Sequence, residues 1–315
     1  MKIIQGLDKE YFSQNHVVTV GTFDGVHLGH RRVLEEVISI KFNKISEYKS
    51  VVITFEPHPQ FVLKNKHSGL KILTDLNEKL ALLREIGIDL VFIVNFTEEF
   101  SKISAENFLK MLVNNVGISD LVVGYDHFFG RNREGGYEIL QKFSEKLKFN
   151  VHLINEFTLN GEFIKSTNIR ELIEKGQIEQ ANKFLGYYYF LQGEVIVGNR
   201  RGNSLGFPTS NIKPDSEFKL IPKNGVYFVR VTYNDFKYYG MMNIGNRPTF
   251  SDEGVTFLEV NIFNFNENIY GKKIKIEFIE YIRNEKKFDS TEKLIMQIKK
   301  DKDYCNQKIK KIKEI

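Results

Sequence analysis

The first residues of this chain that could do chemistry are two imidazoles set three apart in a glycine-rich decapeptide, Gly21-Thr-Phe-Asp-Gly-Val-His-Leu-Gly-His30. The decapeptide follows the apolar run at residues 17–20 and leads into a helical period, so it reads as a strand–loop–helix turn. Gly21, Gly25 and Gly29 permit a tight turn and close approach of the backbone to a ligand. His27 and His30 share a face at the helix start. That end of a helix offers unsatisfied N–H groups and a positive dipole to a phosphate. Imidazole donors placed there can meet charge that builds on phosphoryl oxygens in a transition state. The pattern Gly-x4-Gly-Lys-Ser/Thr is absent here, so the turn is not a P-loop. No third residue has zinc-like spacing from the two histidines.

A second stretch, Gly193-Glu-Val-Ile-Val-Gly-Asn-Arg-Arg-Gly-Asn-Ser-Leu-Gly-Phe-Pro-Thr-Ser-Asn-Ile212, also follows a strand-like run. Gly198, Gly202 and Gly206 allow a loop to fold over phosphates. Thr209 and Asn211 offer neutral hard oxygens, and in an extended segment they project to one side. Such oxygens suit Mg²⁺ when a bound polyphosphate supplies the negative charge. Glycine spacing alone favours a long hairpin loop with a proline turn.

These sites need elements to position them. Up to about residue 180, short apolar runs (17–20, 51–55, 90–94, 121–124, 151–154) alternate with helical periods (30–40, 76–86, 104–116, 134–147). The period at 76–86 starts at a capping box, Asp75 with Glu78, and stops at Gly87. Five strands alternating with helices predict a parallel sheet covered on both faces, with ligands at the carboxyl ends of the strands. After about residue 187 the runs 187–197, 225–233, 236–244, 255–263 and 273–282 are rich in β-branched and aromatic residues. They predict an antiparallel barrel or sandwich, closed by a helix at about 290–313. The expected domains are 1–185 and 186–315.

Composition narrows the class. The chain has 315 residues, 42% of them hydrophobic, enough for two cores. Residues 1–186 carry 23 basic and 24 acidic groups, and 187–315 carry 22 and 16, so the excess is modest. It sits partly in residues 299–313 and reads as a solvated helix face, with no nucleic-acid partner expected. The lone Cys305 excludes an internal disulfide and a cysteine-based zinc site, and it fits a reducing cytoplasm. Residues 1–10 lack the apolar stretch of a signal peptide, and no run approaches the ~20 apolar residues of a membrane span.

The decapeptide resembles the His-x-Gly-His nucleotidyltransferases, in which two histidines steady the α-phosphate of ATP. In its full form it resembles the prokaryotic bifunctional riboflavin kinase/FAD synthetase family. Thr54-Phe-Glu-Pro-His-Pro59, Gly124-Tyr-Asp-His-Phe-Phe-Gly130 and Lys165-Ser-Thr-Asn-Ile-Arg170 follow in the family's order. In the second half, Gly206-Phe-Pro-Thr-Ser-Asn211 is similar to the riboflavin kinase signature, with Ser210 for Ala. Asn243-Ile-Gly-Asn-Arg-Pro-Thr-Phe250, Leu258-Glu-Val260, Asn264-Phe-Asn-Glu-Asn-Ile-Tyr-Gly271 and Arg283-Asn-Glu-Lys-Lys-Phe-Asp289 also fit, so the likeness covers about residues 15–305.

The resemblance implies a Rossmann-like adenylyltransferase domain, a riboflavin kinase barrel, and the substrates riboflavin, FMN and ATP with Mg²⁺. It implies catalytic roles for His27, His30 and Glu259, the last as the base for the riboflavin 5′-hydroxyl. It implies phosphate and ATP contacts from Gly21, Phe23, Asp24, Gly25, Gly29, Asp126, Ser166, Thr167, Arg170, Gly198, Gly202, Gly206 and Pro208. Thr209 and Asn211 would hold the metal, and Arg283 and Glu285 would lie by the flavin. Lys165, Phe163 and His127 stand where the family has Ser, Arg and Phe. They leave open a kinase whose adenylyltransferase domain is inactive or differently specific. A flavin- or RNA-binding regulator is a third reading, and it lacks any RNP-like aromatic motif.

Overall fold

The computed structural model describes residues 1–44, 47–63, 69–125, 128–159, 161–197, 207–247 and 255–313. The chain divides into two compact units, Met1–Ser166 and Thr167–Ile315.

The first unit holds a six-stranded sheet of β1 (Lys2–Gln5), β2 (His16–Val20), β3 (Lys49–Glu56), β4 (Leu90–Asn95), β5 (Asp120–Gly124) and β6 (Asn150–Ile154). The spatial order is β1-β4-β3-β2-β5-β6, and every pair is parallel. The sequence reading found five of these strands and missed β1, whose alternating Lys2-Ile-Ile-Gln5 is too short and polar to stand out. β2 is buried at all five positions, as a strand covered on both faces must be. Helices α1 (Leu28–Phe42), α2 (Pro59–Leu63), α3 (Leu76–Ile86), α4 (Glu98–Ser101), α5 (Ala105–Asn115) and α6 (Tyr137–Leu147) connect the strands. The capping box at Asp75 and Glu78 forms, and Gly87 ends α3 with a left-handed φ of 97°. A two-stranded hairpin, β7 (Thr158–Leu159) and β8 (Glu162–Phe163), follows β6.

Strand order reverses between β2 and β5. In open parallel sheets the crevice at the carboxyl ends of such a pair is where ligands bind. The Gly21–His30 turn leaves β2 at that end.

The amino ends of the strands carry a polar cluster instead. Asp120, 1% exposed, accepts from Lys44 Nζ at 2.8 Å, His152 Nε2 at 2.9 Å, Ser119 Oγ at 2.7 Å and Asn150 Nδ2 at 3.1 Å. Burial pushes its carboxyl up, but the four donors outweigh that and hold it at about 2.

The second unit begins with α7 (Ser166–Glu174) and α8 (Ile178–Leu185). It continues with β9 (Phe190–Ile196), β10 (Ser210–Pro214), β11 (Gly225–Tyr233), β12 (Phe236–Arg247), β13 (Val255–Ile262) and β14 (Lys273–Arg283). These strands form a closed antiparallel barrel in the order β10-β13-β12-β11-β14-β9, with β9 and β10 paired to complete it. The structure therefore chooses the barrel over the sandwich. It also converts part of the expected loop into a strand, β10, which sequence periodicity did not reveal because Pro208 and Pro214 bracket it. Tyr227, Val229, Met242, Ile244, Leu258, Val260, Ile276 and Phe278 fill the interior, all buried. The terminal helix, Thr291–Lys313, covers Phe228, Met241 and Phe263 on an outer face with Cys305.

The Asp120 cluster makes stability depend on acid. Its carboxyl titrates lower in the folded chain than the ordinary 3.8, so its contribution is present above about pH 4 and is lost as pH falls through 2. Asp120→Asn should lower the unfolding free energy by about 2 kcal/mol at neutral pH, a gap that closes towards pH 2 in denaturant melts. A gap that stays constant with pH would contradict the assignment.

Candidate functional sites

His27 is the N-cap of α1, and its Nδ1 accepts the His30 backbone N–H at 3.3 Å. That bond fixes the neutral tautomer with its proton on Nε2. The two rings stack with centroids 3.6 Å apart and planes 16° apart, and Phe23 meets His30 edge-on at 5.3 Å. The shared face expected from the spacing therefore exists. The pair is less open than a surface turn would be. His27 is 5% exposed, and His30 Nδ1 is buried without a hydrogen-bond partner among the described residues. Burial, with the Lys79 charge second, pushes the His30 imidazole down to about 3, so it is neutral at physiological pH.

The loop that holds them is clamped. Asp24 Oδ1 accepts the backbone N–H groups of Leu73 at 2.9 Å and Thr74 at 3.0 Å. Gly25 N–H donates to Thr74 Oγ1 at 2.9 Å, and Ser166 Oγ donates to the Asp24 carbonyl at 2.9 Å. Positive φ values fall at Phe23 (49°), Gly25 (83°) and Val26 (36°), so two of the three turning residues are not glycine. A β-branched residue at positive φ stores strain that the clamp must offset. Gly29 acts by proximity: a Cβ there would lie 3.2 Å from the His27 ring.

α7 starts at Ser166, whose hydroxyl donates to the loop. Thr167 and Arg170 lie on α7 in the second compact unit. Lys165 Nζ lies 3.8 Å from Glu156 Oε1 and over the rings of Tyr125 and Phe163. Asp126 and His127 lie outside the described residues, as do Gly198, Gly202 and Gly206.

In the barrel, register assembles the second site. Asn211 on β10 pairs with Glu259 on β13, and Glu259 pairs with Asn243 on β12. Directly opposite residues share a face with Cβ atoms about 5 Å apart. The neighbours Leu258, Val260, Met242, Ile244 and Ile212 point inward and are buried, so Asn211, Glu259 and Asn243 form an outward-facing row. Asn261, two residues beyond Glu259, donates Nδ2–H to the Pro208 carbonyl at 2.6 Å and ties the Thr209 segment to the same strand. Glu285 sits over Gly245, where a Cβ would collide with its Oε1, and so lies on the face of Asn243. Arg283 behaves differently. Its Nε and Nη2 both donate to Asp301 of the terminal helix, the Nη2 bond being 2.7 Å, which makes it a brace for that helix. The sequence marks Asn243 only as part of a motif and does not mark Asn261; the strand register shows what they face.

Among the described residues no cluster of His, Cys, Asp and Glu could hold a metal by itself. The oxygens of Thr209, Asn211 and Glu259 match the hard donor set of Mg²⁺ bound mainly by nucleotide phosphates. Neither Thr209 nor Asn211 spends its side chain on a hydrogen bond within the described residues.

Comparison with known proteins fits this division. The FAD synthetase family model matches residues 9–168, and the riboflavin kinase family model matches residues 185–309. The bifunctional riboflavin kinase/FMN adenylyltransferase of Listeria monocytogenes is 38% identical over 292 residues, 93% of this chain and 92% of that protein. The protein of the same description from Bacillus subtilis is 34% identical, covering 91% of this chain and 90% of its own. A crystal structure from Streptococcus pneumoniae described as a macrolide-efflux protein superposes with a TM-score of 0.88 at 28% identity, covering 96% of this chain and 98% of that one. No described helix here is long and apolar enough to cross a membrane. The reading of a kinase with an inactive adenylyltransferase domain is not favoured. With both family models matched in order along one polypeptide, the chain belongs to the bifunctional riboflavin kinase/FMN adenylyltransferase family, which phosphorylates riboflavin to FMN and adenylylates FMN to FAD.

Proposed function

We propose that the two activities are divided between the two sites described, with His27 and His30 serving adenylyl transfer and Glu259 serving the kinase step. The observation that carries this is the pair of arrangements, an imidazole stack at the sheet's switch point and the Glu259 carboxylate set between Asn211 and Asn243 across β10, β13 and β12. For adenylyl transfer, an FMN phosphate oxygen attacks the α-phosphorus of ATP, and the bond to the β-phosphate oxygen breaks to release pyrophosphate. His27 Nε2–H and His30 donate to the α-phosphate oxygens as charge rises there. For phosphorylation, Glu259 accepts the proton of the riboflavin 5′-hydroxyl as that oxygen attacks the γ-phosphorus and ADP departs. Thr209 and Asn211 would hold Mg²⁺, which would offset charge on the ATP phosphates.

We place the functional boundary after residue 185 and assign Ser166 to the adenylyl site through the loop it holds. Arg283 is assigned to holding the terminal helix beside the flavin segment, and Glu285 to that segment itself. We assign the protein to the cytoplasm; its single thiol, Cys305, is buried and pushed up to about 12, which makes it inert. Riboflavin, FMN and ATP are the partners, with no nucleic acid or membrane.

His27→Asn should cut FAD formation from FMN and Mg-ATP by roughly 10²–10³-fold and leave riboflavin phosphorylation within about twofold. Glu259→Gln should cut riboflavin phosphorylation by roughly 10²–10⁴-fold and leave FAD formation from supplied FMN unchanged. Chromatography of the flavins checks both, and a folded variant that loses both steps together would refute the division. Asn211→Ala should raise the Mg²⁺ concentration needed for half-maximal FMN formation by roughly tenfold. An unchanged Mg²⁺ requirement would remove Asn211 from the metal site.

A further inference from the structure

One buried charge near the imidazole pair has no part in the mechanism above. Lys79 lies on α3 and is 4% exposed. Its ammonium makes one hydrogen bond among the described residues, to Thr54 Oγ1 at 3.2 Å. Thr54 sits near the carboxyl end of β3, is fully buried, and donates its own proton to the Thr22 carbonyl at 3.3 Å. A relay thus runs from α3 through β3 to the second residue of the Gly21–His30 turn. Lys79 occupies the buried face of α3, four residues before Leu83, which is 0% exposed. A lysine is kept so far from water only where its charge has something to act on.

We propose that Lys79 is a positioning residue for adenylyl transfer, its ammonium tied through Thr54 to the loop at Thr22 and serving as a fixed positive charge behind the turn that carries the imidazole pair. This rests on reading His27 and His30 as the adenylyl-transfer pair. The charged groups around the ammonium come from four elements: Asp24 in the loop, Glu56 at the end of β3, Asp75 at the cap of α3, and His30 on α1. Burial lowers the proton affinity of Lys79, and the three carboxylates oppose that without cancelling it. Glu56 is raised, by its own burial first, with Lys79 pulling the other way. The consequence for His30 has a definite sign. Burial already disfavours the imidazolium, and Lys79 disfavours it further. Removing the charge lets His30 take a proton at higher pH, so a reaction that uses the neutral ring loses activity sooner on acidification.

The test is kcat/KM for FAD formation from FMN and Mg-ATP, followed from about pH 3 to about pH 9, for wild type, Lys79→Gln, Lys79→Met and Lys79→Arg. Riboflavin phosphorylation by the same full-length chains reports folding and should stay within about twofold. Lys79→Gln keeps a donor for Thr54 and loses the charge. It should lower FAD formation by about tenfold or more at neutral pH and move the acid limb upward by about one pH unit. Lys79→Met should do at least as much, and Lys79→Arg should return the limb towards wild type. A drop in rate with an unmoved acid limb, or wild-type behaviour of Lys79→Gln, overturns the proposal. His30→Ala separates the two levels. If it abolishes FAD formation while Lys79→Gln behaves as wild type, the Lys79 role alone falls; if it retains FAD formation, the imidazole reading falls.

Discussion

The Asp24 carboxylate is the interaction on which the first site depends. One oxygen accepts two adjacent backbone amides, and those bonds pin the Gly21–His30 turn to the segment before α3. Bonds from main-chain donors to a charged acceptor contribute about 1.5–3 kcal/mol each. That is enough to hold Phe23 and Val26 at positive φ, at a strain of order 1–3 kcal/mol apiece. The strained turn in turn brings His27 to the cap position, from which its ring folds back over Gly29 and stacks on His30. Within the described residues, Asp24 Oδ1 acts as a loop clamp.

The barrel solves its positioning problem by other means. Antiparallel register alone sets Asn211, Glu259 and Asn243 side by side, and closure of the barrel removes the free edges along which register could slip. The inward neighbours of these residues are large and buried. A one-residue slip would therefore put the carboxylate into the core and the hydrophobes into water.

Much of this was legible in the residues. The capping box at Asp75, the stop at Gly87 and the two periodicities located most elements, because local chemistry fixes them. The His-x-Gly-His turn could be read because residue spacing on a helix start is a local property. What escaped was non-local. β1 is a short edge strand recognisable only by its partner β4, and β10 lies between prolines in a stretch that reads as loop. Lys79 looked like any helical lysine beside a capping box, although its spacing from Leu83 places it on the buried face. The bond from Arg283 to Asp301 joins residues 18 apart across a strand and a helix, and no periodicity announces it.

Two independent uses of ATP on one chain are the centre of this account, and isotopic labelling reads them directly. Riboflavin is incubated with Mg-ATP carrying label in either the γ- or the α-phosphate, and the separated flavins are counted. The γ-label should enter FMN and persist in FAD, while the α-label should enter FAD and never FMN. FAD without α-label, or FMN that carries it, would contradict the account.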